Sequence, residues 1–221
     1  MFGQNTQILN SENHAQLRFQ KAQDFSFAKN LTSAPLSVEE IIDAGLSFPV
    51  LFTAEGQVQA MALLGTHGNN FVNADNKWTA AYVPVHVRRY PFILGQEQGK
   101  TDALLMADLD APQLQGNAGT PVFDEQGQIA KELQHFLELL VAFEKGRAPQ
   151  HLQVLADENL LISQTLYKGQ NQERVSLGQF RIVDEAKLHA LSDEKLAKLA
   201  KSGVLALVYA HLMSLRNLKF I

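Results

Sequence analysis

The sequence predicts an α+β protein: a single domain over residues 1–221, with mostly antiparallel β-hairpins packed against helices and a helical C-terminal region. Three observations predict it. Two pairs of apolar runs are each interrupted by a short polar, glycine-containing segment, which is the pattern of hairpins. Apolar residues between Ile129 and Phe143 recur at three- and four-residue spacing, the period of one helix face. From Asp184 onward, N-cap residues and a glycine punctuate helical patterns. No repeat, low-complexity tract or Pro/Gly/Ser-rich linker divides the chain.

Taken in order, the opening segment to about residue 35 reads as irregular. Ser37-Val38-Glu39-Glu40 then has the residues of a capping box, and the short helix that follows carries Ile41 and Ile42. Gly45 stops it, by taking the left-handed conformation found at helix C-termini. Phe48–Thr53 and Val58–Leu64 form a hairpin across Ala54-Glu55-Gly56-Gln57, and Phe71-Val72-Asn73 reads as a third strand. The polar stretch from Asn73 to Lys77 is a turn whose Asn and Asp side chains can bond their own backbone, closed by Trp78. Pro84 opens a helical turn through Val85–Arg89, and Pro91 drives Tyr90 out of helical geometry.

Asp102–Asp108 reads as a strand. The stripe Ile129, Leu133, Phe136, Leu137, Leu140 and Phe143 predicts a helix ending at Gly146. A second hairpin pairs Leu160–Tyr167 with Arg174–Val183 through a polar turn at 168–172. Asp184 and Ser192 are N-caps of helices carrying Leu188, Leu191, Leu196 and Leu199. Gly203 separates these from a last helix with an apolar seam of Leu205, Val208, Leu212 and Leu215, from which His211 stands one position off.

Composition bounds the function. The chain is 46% hydrophobic and 19% charged, with no cysteine and a formal charge of −4. It is long enough to fold without a disulfide or structural metal. The absence of cysteine removes thiol catalysis, Cys-ligated zinc and iron–sulfur clusters. The acidic balance supplies no general attraction to nucleic acid or to an anionic membrane. No window approaches the roughly 18 uninterrupted apolar residues of a membrane span, and the first residues lack the cationic and apolar regions of a secretory signal. The expected setting is cytoplasmic, and the expected partners include neither nucleic acid nor a membrane span.

Phosphate-binding glycine fingerprints are absent, as is the Gly-x-Ser-x-Gly elbow of hydrolases. The seven histidines show no His-x-His or His-Glu-x-x-His spacing, so no metal and no cofactor is expected; Asp108-x-Asp110 reads as a strand-end turn rather than a cation site. The densest constellation is Trp78–Phe92, which gathers Trp78, Tyr82, His86, Arg88, Arg89 and Tyr90. Adjacent arginines can clamp a carboxylate or phosphate, and the rings offer flat contact area. The structural alternative is that the aromatics plug a core and the arginines hold internal carboxylates. For His211 that alternative is a hydrogen-bonded imidazole near the core.

Ala62-Leu63-Leu64-Gly65, Gly68-Asn69-Asn70-Phe71-Val72, Trp78, Tyr82-Val83-Pro84 with Val87-Arg88-Arg89-Tyr90-Pro91-Phe92, and the ending Tyr209–Leu218 together resemble the SapC-like bacterial family. Phe48–Phe52 and Gly178-Gln179-Phe180 extend the resemblance. It implies a link to surface-layer export or assembly, or an accessory role beside TonB-dependent receptors and flavin-dependent or cupin-like enzymes; it supplies no catalytic residue. The leading expectation is a soluble accessory protein that binds a peptide, protein or saccharide partner. Its ligand-binding residues would be Trp78, Tyr82, His86, Arg88, Arg89, Tyr90 and His211, and a homo-oligomer stays open. The alternative is an enzyme acting on a peptide or carbohydrate, with His86 or His211 as general acid/base and Arg88 or Arg89 as anion clamp. A third reading, a structural or assembly protein of the cell envelope, follows from the family name.

Overall fold

Ten strands follow one another along the chain in the computed structural model, which describes residues 3, 5–21, 24–96, 103–168 and 175–221. They are β1 (Thr6–Ile8), β2 (Arg18–Phe19), β3 (Ser33–Pro35), β4 (Val50–Phe52), β5 (Ala60–Leu63), β6 (Phe92–Gln96), β7 (Ala103–Asp108), β8 (Thr120–Pro121), β9 (Leu161–Lys168) and β10 (Val175–Val183). The helices are α1 (Ser11–His14), α2 (Ile41–Gly45), α3 (Val85–Arg88), α4 (Lys131–Gly146), α5 (Val154–Asp157), α6 (Glu185–His189), α7 (Asp193–Lys201) and α8 (Val204–Ser214). Every strand pairing is antiparallel. The architecture is therefore the α+β class that the sequence predicts, with a helical C-terminus. No single described helix is long and apolar enough to cross a membrane.

Internal contacts divide the chain into two compact units, each assembled from three stretches of sequence. The first comprises Met1–Ala28, Val72–Trp78 and Val85–Lys145. It holds the three-stranded sheet β1-β7-β6 and the two-stranded β2-β8. From Leu133 onward the predicted stripe lies on α4 and supplies the core: Leu133 and Leu140 are buried with Leu9, Phe92, Ala107, Leu114, Val122 and Phe123, and Phe136 and Leu137 pack against them; Ile129 packs there too, but it precedes the helix and bridges to Phe123. The opening segment is not irregular. Thr6, Gln7 and Ile8 pair with Asp108, Ala107 and Met106, and Asn10 caps α1 by accepting the Asn13 N–H at 2.9 Å. A three-residue strand shows no alternation of its own; its partner β7 imposes the extended backbone. Phe71-Val72-Asn73 is likewise no strand. Val72 makes a single bridge to Trp78, because the Asn73 side chain and carbonyl fold the chain back on itself by accepting from Lys77 and Asn76.

The second unit comprises Lys29–Phe71, Thr79–Pro84 and Gly146–Ile221, around a five-stranded sheet ordered β3-β5-β4-β10-β9. Both predicted hairpins are present: β4 pairs with β5 (Phe52 opposite Ala60), and β9 with β10 (Val183 opposite Leu161). The predicted turn at 168–172 lies, apart from Lys168, outside the described residues, as do Asp102 and Arg174. Before α2, a 3₁₀ turn starts at Ser37, whose N–H donates to the Glu40 carboxylate at 3.0 Å, the reach-back half of a capping box. Gly45 does end α2, but without a left-handed backbone. It is small because α8 lies against it: a Cβ there would stand 3.3 Å from the Ala210 carbonyl oxygen and 3.4 Å from the Ser214 Cβ. Asp184 and Ser192 cap α6 and α7 as expected, and Gly203, at φ +80°, breaks the chain before α8.

The buried line of α8 is Val204, Val208, His211 and Ser214, rotated by about one position from the predicted seam of leucines. Its polar members bind backbone. The Val50 N–H of β4 donates to the Ser214 hydroxyl at 2.9 Å, and that hydroxyl donates to the His211 carbonyl at 2.6 Å. Beyond the helix, the Asn217 side chain donates to the Gly45 carbonyl at 2.9 Å. Replacing Ser214 with alanine strands the buried Val50 N–H, and is expected to lower the unfolding free energy by about 1–3 kcal/mol. Urea unfolding of the purified variant checks this; an unchanged midpoint would show that the hydroxyl is dispensable.

Candidate functional site

The Trp78–Phe92 segment runs through both units: Trp78 and residues from Val85 onward belong to the first, Tyr82 to the second. In the second unit, the Tyr82 hydroxyl donates to Glu40 at 2.9 Å. His211 is fully buried there. Its Nε2 accepts the Val183 N–H of β10 at 3.1 Å and its Nδ1 donates to the Val50 carbonyl of β4 at 2.7 Å, with the Phe52 ring 4.7 Å away. Both nitrogens of the ring thus serve the sheet. Burial pulls its pKa down to about 4, against the smaller opposing effect of the bond to Val50.

In the first unit, Trp78 leans on Phe25 with ring centres 5.7 Å apart. Helix α3 is a single turn, so its consecutive residues point in different directions. Val85 and Val87 are buried, while Arg88 faces solvent. Arg89 and Tyr90, immediately after the helix, turn inward. Arg89 is 7% exposed; its guanidinium reaches Glu144 at 2.8 Å, lies 5.3 Å from the centre of the Phe143 ring, and donates to His86 Nδ1 at 3.2 Å. Tyr90 stacks on Phe27 at 4.3 Å and donates its hydroxyl to Asp108 at 2.7 Å. Burial, then the hydrogen bond and charge of Asp108, raise the phenol well above its ordinary pKa. A tyrosine so held is a fixed donor.

These inward contacts leave Arg88 beside a cleft of about 230 Å³. Phe19, Phe25, Phe27, Tyr90 and Phe136 supply rings to its lining, Val87 and Leu139 add aliphatic surface, and Lys21 and Arg88 are its two basic residues. Six of these side chains come from the stretch between Phe19 and Phe27 and from α4, outside the sequence-predicted segment. The clue was the unusual density of aromatics at Phe19, Phe25 and Phe27 within an otherwise polar stretch. No histidine, aspartate or glutamate lines the cleft among the described residues, and no group of three His, Asp or Glu able to hold a metal occurs among them. Of the predicted site residues, Arg88 and Tyr90 line the cleft; Trp78 touches its Phe25 wall, and His86 binds Arg89.

Fold and cleft together define a class: an antiparallel α+β protein with a small, aromatic-walled recess carrying two basic residues. The chain matches the SapC family model over residues 9–220 and belongs to the SapC family. No curated protein and no solved structure matches it.

Two outcomes test the roles drawn above. Arg89→Ala removes a nearly buried guanidinium from Glu144 and Phe143 and should cost about 2 kcal/mol, whereas Arg88→Ala should change stability by less than about 0.5 kcal/mol. Urea melts of the two single variants decide this, and equal losses would erase the distinction between the arginines. His211 must stay neutral in the folded state. With a folded value near 4 against 6.5 unfolded, its contribution is complete above pH 6.5 and is lost as pH falls toward 4. Between pH 7.5 and 5 this amounts to about 2 kcal/mol, a loss that His211→Gln should not show. Parallel denaturation curves at the two pH values test it, and identical pH slopes would sink it.

Proposed function

We propose that this SapC-family chain is a recognition protein: it binds a peptide or protein partner, and the contact is centred on Arg88 and the cleft beside it. The observation that carries this reading is the placement of Arg88: it is exposed and lines an apolar recess, on a backbone held by the buried Arg89 and Tyr90 at Glu144 and Asp108. Exposed arginine beside aromatic surface is the chemistry of interface anchors. The cleft favours a peptide over a saccharide, since sugar rings need several hydrogen-bonding groups and these walls are apolar apart from two cations and the committed phenol.

The catalytic alternative draws no support from the histidines. His211 gives both nitrogens to backbone, and His86 presents its Nδ1 to Arg89. A cytoplasmic accessory role tied to surface-layer assembly or TonB-dependent uptake accords with the family's name and resemblance, and belongs to this proposal. The test is affinity capture from native lysate with tagged wild-type protein beside Arg88→Ala, the folding of the variant confirmed by circular dichroism. A protein retained by the wild type and depleted at least tenfold by Arg88→Ala supports recognition through this surface. Equal capture by both, or none by either, overturns it.

A further inference from the structure

We infer that the cleft beside Arg88 binds an apolar group carrying a carboxylate: an aromatic or branched aliphatic body of about one amino-acid side chain, with its acid group held between Lys21 and Arg88. This rests on the recognition role proposed above and names the chemistry recognised.

Size comes first. At about 230 Å³ the cleft is smaller than the roughly 300–1,000 Å³ of sites for drug-sized ligands, so it takes a single ring or short branched chain rather than an extended molecule. Wall chemistry comes next. Phe19, Phe25, Phe27 and Phe136 contribute rings with no hydrogen-bonding group, and the hydroxyl of Tyr90 is already given to Asp108. An apolar body gains from leaving water here, whereas a sugar or an uncharged amide laid against these rings would lose hydrogen bonds that the walls do not replace. A ring can also meet these walls edge to face or offset-stacked.

Charge decides the rest. Lys21 and Arg88 both line the cleft, no described lining residue is acidic, and Asp24 lines the adjoining recess with Lys21 and Phe27, so the groups that the cleft itself offers a charged ligand are cations. A guanidinium beside a low-dielectric wall can form a bidentate pair with a planar carboxylate, and an ammonium adds a second, less directional contact. Two sources share this chemistry: a free aromatic or aliphatic acid, and the C-terminal residue of a peptide, where side chain and carboxylate sit on one carbon.

The experiment titrates full-length protein with 3-phenylpropionate, N-acetyl-phenylalanine and a tripeptide ending in phenylalanine. Each is run beside its neutral counterpart: 3-phenylpropanol, N-acetyl-phenylalaninamide and the tripeptide amide. Binding is read by two-dimensional NMR throughout and, except in Leu139→Trp, by fluorescence of the single tryptophan, Trp78, whose ring touches Phe25 of the wall. The expected result is saturable binding of the acids, at least tenfold weaker binding of the neutral forms, and weakening by added salt. Arg88→Ala and Lys21→Ala should each weaken the acids at least threefold while leaving the neutral forms unchanged, and Leu139→Trp should abolish binding by filling the recess. Should Leu139→Trp fail to fold, Arg88→Glu at the exposed position provides the second reading, reversing the preference for acid over amide.

Tighter binding of the tripeptide than of 3-phenylpropionate identifies a chain terminus as the source; the reverse order identifies a free acid. Acids and neutral forms binding equally, or no saturable change with any of them, overturns the inference. If that happens while a lysate partner still depends on Arg88, the ligand class is wrong and the recognition role stands. If the acids bind as expected but no partner depends on Arg88, the cleft is a small-molecule site and the recognition role falls.

Discussion

The imidazole of His211 stands between two strands and bonds both. Antiparallel register places Arg181 of β10 opposite Phe52 of β4, and two residues further along it brings Val183 toward Val50. At that level the contact is made through the ring: Val183 donates to one nitrogen, and the other donates to Val50. The Val50 N–H turns to Ser214, one helical turn on, so a single residue of β4 is held at both its polar groups by α8. Buried backbone groups must be paired, and here a helix supplies the partners. Gly45 and Asn217 extend the same contact, the first by admitting α8 against α2 and the second by binding the Gly45 carbonyl. Within the ending Tyr209–Leu218, His211 and Ser214 are therefore a pair of sheet-binding side chains at helical spacing.

The first unit solves a different problem, which is to point one of two adjacent arginines outward. A helix of one turn ends at Arg88, and the following residues are anchored inward at Glu144 and Asp108. Those anchors fix the backbone from which Arg88 projects. Tyr90 serves twice: its hydroxyl is tied to β7, and its face stacks on Phe27 in the wall of the cleft. A local sequence thus combines structural and surface roles in neighbouring residues, which is why the whole segment reads as a site.

Much of the fold was legible because its signals are local. The hairpin of β4 and β5, the α4 stripe and the caps at Asp184 and Ser192 depend on residues within a few positions of one another. What escaped depends on distant partners. β1 is a strand because β7 is beside it, Gly45 is a glycine because Ala210 and Ser214 are beside it, and the seam of α8 is turned because Val50 and Val183 want hydrogen bonds more than leucine. The site was half visible for the same reason. Arg88 and Tyr90 stood out within one dense segment, whereas the walls from Phe19, Phe25, Phe27 and Phe136 reach it only through the tertiary fold.

The interleaving of the two units has a consequence for how the chain is made. All parts of the first unit lie within residues 1–145, so a ribosome has delivered its last piece before most of the second exists. The second unit begins at Lys29 but is not complete until Ile221. During that interval the β4–β5 hairpin has no β10 along its flank and no imidazole over Val50. An apolar strand edge with unpaired amides is the surface on which chains misassociate. Growth of the polypeptide closes that edge last, with the same histidine and serine that hold it thereafter.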